Sequence, residues 1–378
     1  MIELRRAQVS FGDGLISAEV EDLSEDWMAH ADVVLADEQL MTTVYEALAK
    51  RRPKSRSRGR RATPAEVVLR LLVLKHIRNW SYQALEREVR ANLVYRDFTR
   101  VGGGKMPDAK TMGRWGTALG PQVIAQIHER MVAIAKDKGV AEGRKMRVDT
   151  TVVETNIHYP TDSSLLGDGV RVLTRAMKKI TAIAGAVGTK LRDRSRSEGK
   201  IVSVFEPSTE IIRKGKTSKP TEFGKMVKLQ EAENQIVTAY EVYDQRPADS
   251  DLLIDAIDTH QARLGRTPRL VAADAAFYSD RNERAAKEQG VKRVCIPNRS
   301  TKSAARKHEQ KKRWFRQGQK WRTGCEGRIS VTKRRHGLNR CRYKGDDGMK
   351  RWVGLGVIAD NLINIGRALD QQAAPAPP

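Results

Sequence analysis

The sequence predicts an α/β protein, with a mixed sheet flanked by helices in its carboxyl-terminal part and a helical domain in front of it. Three stretches carry that prediction. Residues Lys145–Glu154 alternate, with Met146, Val148, Thr150 and Val152 on one face and Arg147, Asp149 and Thr151 on the other, the period of a half-buried strand. Residues 269–274 form a short apolar run ended by a carboxylate, Asp274, which reads as a central, fully buried strand. Residues 63–137 place their apolar side chains at helical spacing. A chain of 378 residues has room for two or three such units, each with its own core.

In chain order, residues 1–49 are an acidic lead-in, with Glu19, Glu21, Asp22, Glu25 and Asp26 close together, ending in a helical pattern at Leu40, Val44 and Leu48. The charge then reverses. Across residues 50–61 stand Lys50, Arg51, Arg52, Lys54, Arg56, Arg58, Arg60 and Arg61, broken by Pro, Ser and Gly, the composition of a flexible basic arm (residues 50–62) rather than a helix. The helical domain (residues 63–140) starts with Thr63 as cap, Pro64 at the first helical position and Glu66 completing a capping box. Ser81 caps a second helix, Pro107-Asp108 starts a third and Pro121 a fourth, so the domain contains a possible helix-turn-helix. Helical spacing does not say which helix enters a groove.

The second domain (residues 141–370) begins with the strand of Asp149. A helical and basic insertion occupies about residues 160–220, with helical apolar spacing over residues 169–191. Strands are expected again at residues 225–229 and 235–243, a helix at 250–264, the strand ending at Asp274, a helix at 280–289 and a strand at 291–296. Asp274 lies at the carboxyl end of its strand, where open α/β sheets place their sites. Residues 299–322 are strongly basic with Trp314, Phe315 and Trp321 interleaved, a pattern that serves either stacking on nucleic acid or packing on the domain. Arg322, Glu326 and Lys333 follow at spacings of four and seven, one face of a continuous helix, despite Gly324 and Gly327. Two glycines there suggest close approach of another backbone or of a substrate. Residues 371–378 are an Ala-Pro tail expected to be disordered.

Seventy Lys and Arg against 46 Asp and Glu leave a formal charge of +24, which calls for a polyanionic partner. Nucleic acid leads. A membrane surface is disfavoured, because no run of about 18 apolar residues exists and no signal-like amino terminus is present; a cytoplasmic location is expected. Three cysteines without a Cys-x-x-Cys pair argue against a disulfide framework and a zinc finger, so any metal should be held by oxygen.

Asp149, Asp274 and Glu326 are the candidate catalytic residues. Carboxylates brought together repel one another. Mg²⁺ relieves that repulsion, being hard, oxygen-seeking and able to keep positions open for water and phosphate. Two such ions, about 3.5 to 4 Å apart, would activate an attacking oxygen and stabilise a leaving one in phosphodiester chemistry.

The strand, strand, helix order of these acids resembles that of RNase H-like nucleotidyl transferases. Residues 149–163, Ala273-Asp274-Ala275 and the surroundings of Glu326 resemble the DDE transposases of bacterial insertion sequences, of the ISNCY kind. Residues 63–120, with Tyr95-Arg96-Asp97-Phe98 and Pro107-Asp108-Ala109-Lys110-Thr111, are similar to that group's amino-terminal domain. The resemblance spans about residues 26–367. It implies an RNase H-like catalytic domain behind a helical DNA-binding domain. It further implies two Mg²⁺ ions (Mn²⁺ substituting) on Asp149, Asp274 and Glu326, and double-stranded DNA as partner, at inverted-repeat ends and target, with a homo-oligomer on paired ends. Arg322 and Lys333 match a Tyr, Arg, Glu, Lys signature and would contact end phosphates, with Arg328 beside them; Gln319 stands where the Tyr would be, and Trp321 is a candidate to replace it. Lys50, Arg51, Arg52, Arg56, Arg58, Arg60 and Arg61 complete the expected DNA contacts. Two other readings stay open: a transposase-derived DNA-binding protein or repressor without catalysis, and a structure-selective nuclease that cuts without joining.

Overall fold

The computed structural model describes residues 2–6, 11–51, 53–57, 62–183, 202–213 and 221–373. Its strands are β1 (Lys145–Glu154), β2 (Glu210–Arg213), β3 (Thr221–Glu231), β4 (Val237–Val242), β5 (Leu270–Ala272) and β6 (Arg293–Cys295). They form one sheet of order β2-β3-β1-β5-β6, with β4 also on β3. β2 pairs with residues 221–224 of β3 and β4 with residues 227–231, so the two share its outer edge. β3 runs antiparallel to β1, whereas β1, β5 and β6 run parallel. This is the mixed sheet flanked by helices that the sequence predicts.

The amino-terminal helices are α1 (Phe11–Glu19), α2 (Asp26–Leu35), α3 (Glu38–Arg51), α4 (Ala65–Ile77), α5 (Tyr82–Ala91), α6 (Leu93–Phe98) and α7 (Ala109–Asp137). The acidic lead-in packs on the basic chain behind it: Asp32 pairs with Arg70 at 2.6 Å and Arg100 at 2.5 Å, Asp37 with Arg130 at 2.7 Å, and Glu25 with Arg78. The expected breaks at Pro107-Asp108 and Pro121 are both present. Asp108 accepts from the Thr111 amide at 2.8 Å, and Gly120, at φ 69°, divides α7 just before Pro121.

Two local expectations need correction. Thr63 does not cap α4, and Glu66 turns instead to Arg70 at 3.1 Å. The first amides of α4 are taken by the amino-terminal segment, Ala65 N donating to Glu3 O at 2.9 Å and Glu66 N to Leu4 O at 3.0 Å, so no side-chain cap is needed. The arm is partly regular: α3 continues to Arg51, a 3-10 turn covers Pro53–Arg56, and Arg56 pairs with Glu46. Arg52, Arg58, Arg60 and Arg61 lie outside the described residues.

The remaining helices are α8 (Asp162–Ile183), α9 (Leu253–Leu264), α10 (Asp280–Glu288), α11 (Ala304–Lys311), α12 (Arg313–Arg335) and α13 (Gly345–Ala373). The expected insertion supplies α8 and the sheet strand β2; much of its basic portion, residues 184–201 and 214–220, lies outside the described residues. α9 and α10 cover one face of the sheet, where Leu253, Ile257 and Ala286 meet Met146, Val148 and Val271. α12 and α13 cover the other. β1 is therefore not half-buried: Arg147 and Thr151, on its supposedly exposed face, are each 4% accessible.

α13 serves both parts of the molecule. Trp352, Val353 and Val357 pack on Val153, Val227 and Leu229 of the sheet, while Leu355, Ile358, Leu362 and Ile365 join the core of α2, α3, α4 and α7. Asn361 donates to Val237 O and accepts from Val237 N, both at 2.8 Å, pinning the start of β4 as a neighbouring strand would. No described helix is long and apolar enough to cross a membrane.

The caps give a paired test. Ser81 accepts from the Ala84 amide at 3.1 Å, so Ser81→Ala should lower unfolding stability by about 1 kcal/mol. Thr63→Ala should change it by no more than a few tenths of that. Chemical denaturation of both variants checks the pair, and equal losses would contradict the capping assignment.

Candidate active site

Strand register brings the first two acids together. β1 pairs in parallel with β5 through Met146↔Val271 and Arg147↔Ala272, so Asp149 on β1 and Asp274, two residues beyond the end of β5, lie equally far past the last paired residues and share their parity. Neighbouring strands lie about 4.8 Å apart. Asp149 accepts from the Thr150 amide at 2.8 Å, and Asp274 caps the following 3-10 turn by accepting from Ala276 N at 2.9 Å. Burial pushes the Asp149 carboxyl up to about 6 and the charges of Asp274 and Glu326 add to it, against the Thr150 amide and the Arg322 guanidinium.

The third acid arrives on α12, an uninterrupted helix as its spacing predicts. What seats that helix is Arg147. Its register partner on β3 is Glu231, and the two form a buried pair at 2.5 Å; the guanidinium then reaches across to Trp321 O of α12 at 2.6 Å and lies over the Trp321 ring, 4.9 Å from its centre. A Cβ at Gly324 would collide with the Arg147 guanidinium, whereas one at Gly327 would meet nothing. Close approach, expected of both glycines, is thus real at Gly324 alone. A third glycine, Gly318, gives the same clearance over Cys295 at the end of β6. Gln319 donates to Cys295 O at 2.6 Å, tying α12 to the sheet one strand over from Asp274.

Glu326 is 60% exposed and held by Arg322 at 2.9 Å; the same guanidinium lies 3.8 Å from Asp149. Arg322 thus occupies the space between strand acid and helix acid and supplies their counter-charge. The donor set has the chemistry of a magnesium site, since all three groups are hard oxygen ligands and Asp149 is short of positive charge. The side chains are not drawn in around a common point: among the described residues no three His, Cys, Asp or Glu side chains stand close enough to hold a metal ion.

Lys333 lies half-buried further along α12. Arg328 departs from expectation. It is 4% accessible and donates to Asp360 at 3.0 Å and Asn364 at 2.9 Å on α13, so its charge is neutralised inside the fold and cannot reach DNA. Two residues past Glu326, it falls on the opposite face of the helix. The interleaved aromatics also serve packing: Phe315 is buried with Ala272 and Cys295, and Trp314 and Trp321 pack on the same cluster. Sequence reasoning missed Arg147 as the organiser; its signal was a charged residue two positions before Asp149 on the same strand face. Asp249, by sequence a candidate cap of the helix at 250–264, accepts from Thr150 Oγ1 at 2.9 Å.

With this geometry in view, comparison with known proteins gives two family matches. Residues 24–117 match the family described as a transposase domain (DUF772), and residues 280–365 match a transposase DDE domain that includes Glu326. Both matched families are transposase families, one at the amino-terminal helices and the other, a DDE domain, at the carboxyl-terminal end of the chain. The chain is 30% identical over 127 residues to a Rhizobium meliloti protein named "Uncharacterized protein ORF8 in nfe locus"; the match covers 32% of this chain and 61% of that protein. Its alignment with the crystal structure of a pre-cleavage Mos1 transpososome has 9% identity and a TM-score of 0.19, over 97% of this chain and 98% of that one, and no argument rests on it.

The two α12 glycines make a matched test. Gly327→Ala should stabilise the protein by up to about 1 kcal/mol through helix propensity. Gly324→Ala gains the same propensity but dislodges Arg147 from its partners, a loss of about 2 to 3 kcal/mol for charge-assisted hydrogen bonds, so its net effect should be destabilising. Thermal melts compare them, and stabilisation by both would show that Arg147 does not set the seat of α12.

Proposed function

We propose that the chain is a DNA transposase that binds insertion-sequence ends, cuts them at Asp149, Asp274 and Glu326 with divalent-metal help, and joins the freed 3′ hydroxyl to target DNA. The observation that supports this reading is the parallel pairing of β1 with β5, which points Asp149 and Asp274 the same way, together with Arg322, which contacts both Asp149 and Glu326. The order of the two matched transposase domains supports it.

Asp149 and Asp274 would hold Mg²⁺ together with Glu326, and a metal pair would supply activation of the attacking oxygen and stabilisation of the leaving one. The protein's own part is positional. Asp149 is fixed by its strand and the Thr150 amide, and Asp274 by its turn. Glu326 reaches them only when its pair with Arg322 opens. The guanidinium so released, in the electropositive setting of α12, turns to a phosphate of the bound end, the contact that the resemblance implies for it; Lys333 serves the same strand. The protein acts in the cytoplasm, as an oligomer on paired ends.

The test uses the DNA flanking the reading frame as a labelled duplex. With Mg²⁺ or Mn²⁺ the wild-type chain should nick it and form joined products. Asp149→Asn, Asp274→Asn and Glu326→Gln should each abolish cleavage while leaving the gel-shift affinity within about twofold, since no phosphate contact is removed. Mg²⁺-dependent cleavage retained by Asp149→Asn would refute the site. Binding without nicking would favour a repressor, and nicking without joining a nuclease.

A further inference from the structure

A second concentration of positive charge lies in the helical part. Between the carboxyl end of α3 and residues 109–119 of α7 runs a groove of about 920 Å³, with Lys50 and Arg51 on one wall, Lys110 and Arg114 on the other, and small residues such as Ala47 and Ala118 along it. Among the described residues that line it, none is acidic. Lys110, Arg114 and Thr117 are all exposed and recur at helical spacing, so they form one stripe along α7. Arg114 donates to Thr111 Oγ1 at 2.7 Å, and the nearby Asp108 carboxylate is engaged in capping the helix.

α5, the second helix of the possible helix-turn-helix, is the obvious competitor. Its cations are matched by glutamates on its own surface: Arg87 pairs with Glu88 at 2.6 Å and Arg90 with Glu86 at 3.8 Å. A self-neutralised face offers little to a polyanion. Beside the α7 stripe, Asp108 caps the helix and forms no salt bridge with Lys110 or Arg114 among the described residues, and α3 presents two more cations across a concave gap. Cations on facing walls suit a phosphate chain lying between them; a flat lipid surface meets one wall at a time.

Resting on the reading of the chain as a DNA-binding transposase, we propose that this groove holds the phosphate backbone of duplex DNA, and that the 109–119 segment of α7, rather than α5, is the helix laid against the duplex.

The experiment measures binding of the full chain to a labelled duplex by fluorescence anisotropy across a salt series. The variants are Lys110→Glu/Arg114→Glu, the equally charged control Arg87→Glu/Arg90→Glu, and the milder Lys50→Ala/Arg51→Ala on the facing wall, each checked for an unchanged melting temperature. The α7 pair should weaken binding at least tenfold and reduce the salt slope by about 2, since each lost phosphate contact removes about 0.9. The α3 pair should act in the same direction, and the α5 pair should stay within about threefold of wild type. The α3 pair also stands in if the α7 pair fails to fold. Equal losses in the α5 and α7 pairs, or a loss in the α5 pair alone, would overturn the assignment while leaving the DNA-binding function intact. Wild-type chain that ignores duplex DNA would overturn both. Vesicles of anionic lipid that bind the wild type as tightly as duplex, with that binding lost in the α7 pair, would reassign the groove to a membrane surface.

Discussion

The buried contact between Arg147 and Glu231 is the constraint on which the site depends. Two charges removed from water are costly unless each is well paired, and breaking such a pair by deleting one partner typically costs about 3 to 5 kcal/mol. Here the cost is met by register, which sets the two residues opposite one another, and by the third contact of Arg147, to Trp321 O on α12. The same guanidinium therefore joins two strands and a helix at the level of the acids. Asp149 lies two residues along β1 from Arg147, and Glu326 lies five along α12 from Trp321. A shift of α12 against the sheet would separate those carboxylates before it disturbed either element internally.

A second buried cation repeats the device one turn further on. Arg328 pairs with Asp360, which also faces His336 at 3.5 Å, and Asn364 closes the arrangement from α13. Burial is the largest force lifting the Asp360 carboxyl, to about 7, with Arg328 opposing it. α12 is thus held between the sheet on one side and α13 on the other. Because α13 also fills the core of the amino-terminal helices, the placement of Glu326 is coupled to the packing of that helical part. The chain's last described helix completes the core of its first helices, an arrangement without any local sequence mark.

That coupling explains what was legible in the sequence. Period-two alternation placed Asp149 on β1 and the end of an apolar run placed Asp274, because strand parity is local and burial of one face is enough to reveal it. Helical spacing put Glu326 with Arg322 for the same reason. The errors share a cause: each residue's partner was remote in sequence. Arg328 looked like a DNA contact until Asp360 and Asn364 came up against it, and the polar face of β1 looked exposed until α12 covered it. Thr63 looked like a cap, but the backbone of Glu3 and Leu4 had already taken the amides. Asp249 reads from sequence only as a helix cap, because the fold alone brings it to Thr150.

Arg322 is the counter-charge that this arrangement carries within the chain. Burial and neighbouring acids make the ionised form of Asp149 unfavourable, and Arg322 is the nearby cation opposing them. Its guanidinium spans the space from Asp149 to Glu326, so it neutralises the acids from a flexible helix side chain and needs no rigid cage. Under the function proposed above, a divalent ion held by Asp149 and Glu326 would compete with the Arg322 guanidinium for the same oxygens and would leave it free for a phosphate. The linkage would be reciprocal: a phosphate drawing Arg322 away would leave Asp149 and Glu326 under-compensated and raise their affinity for a cation.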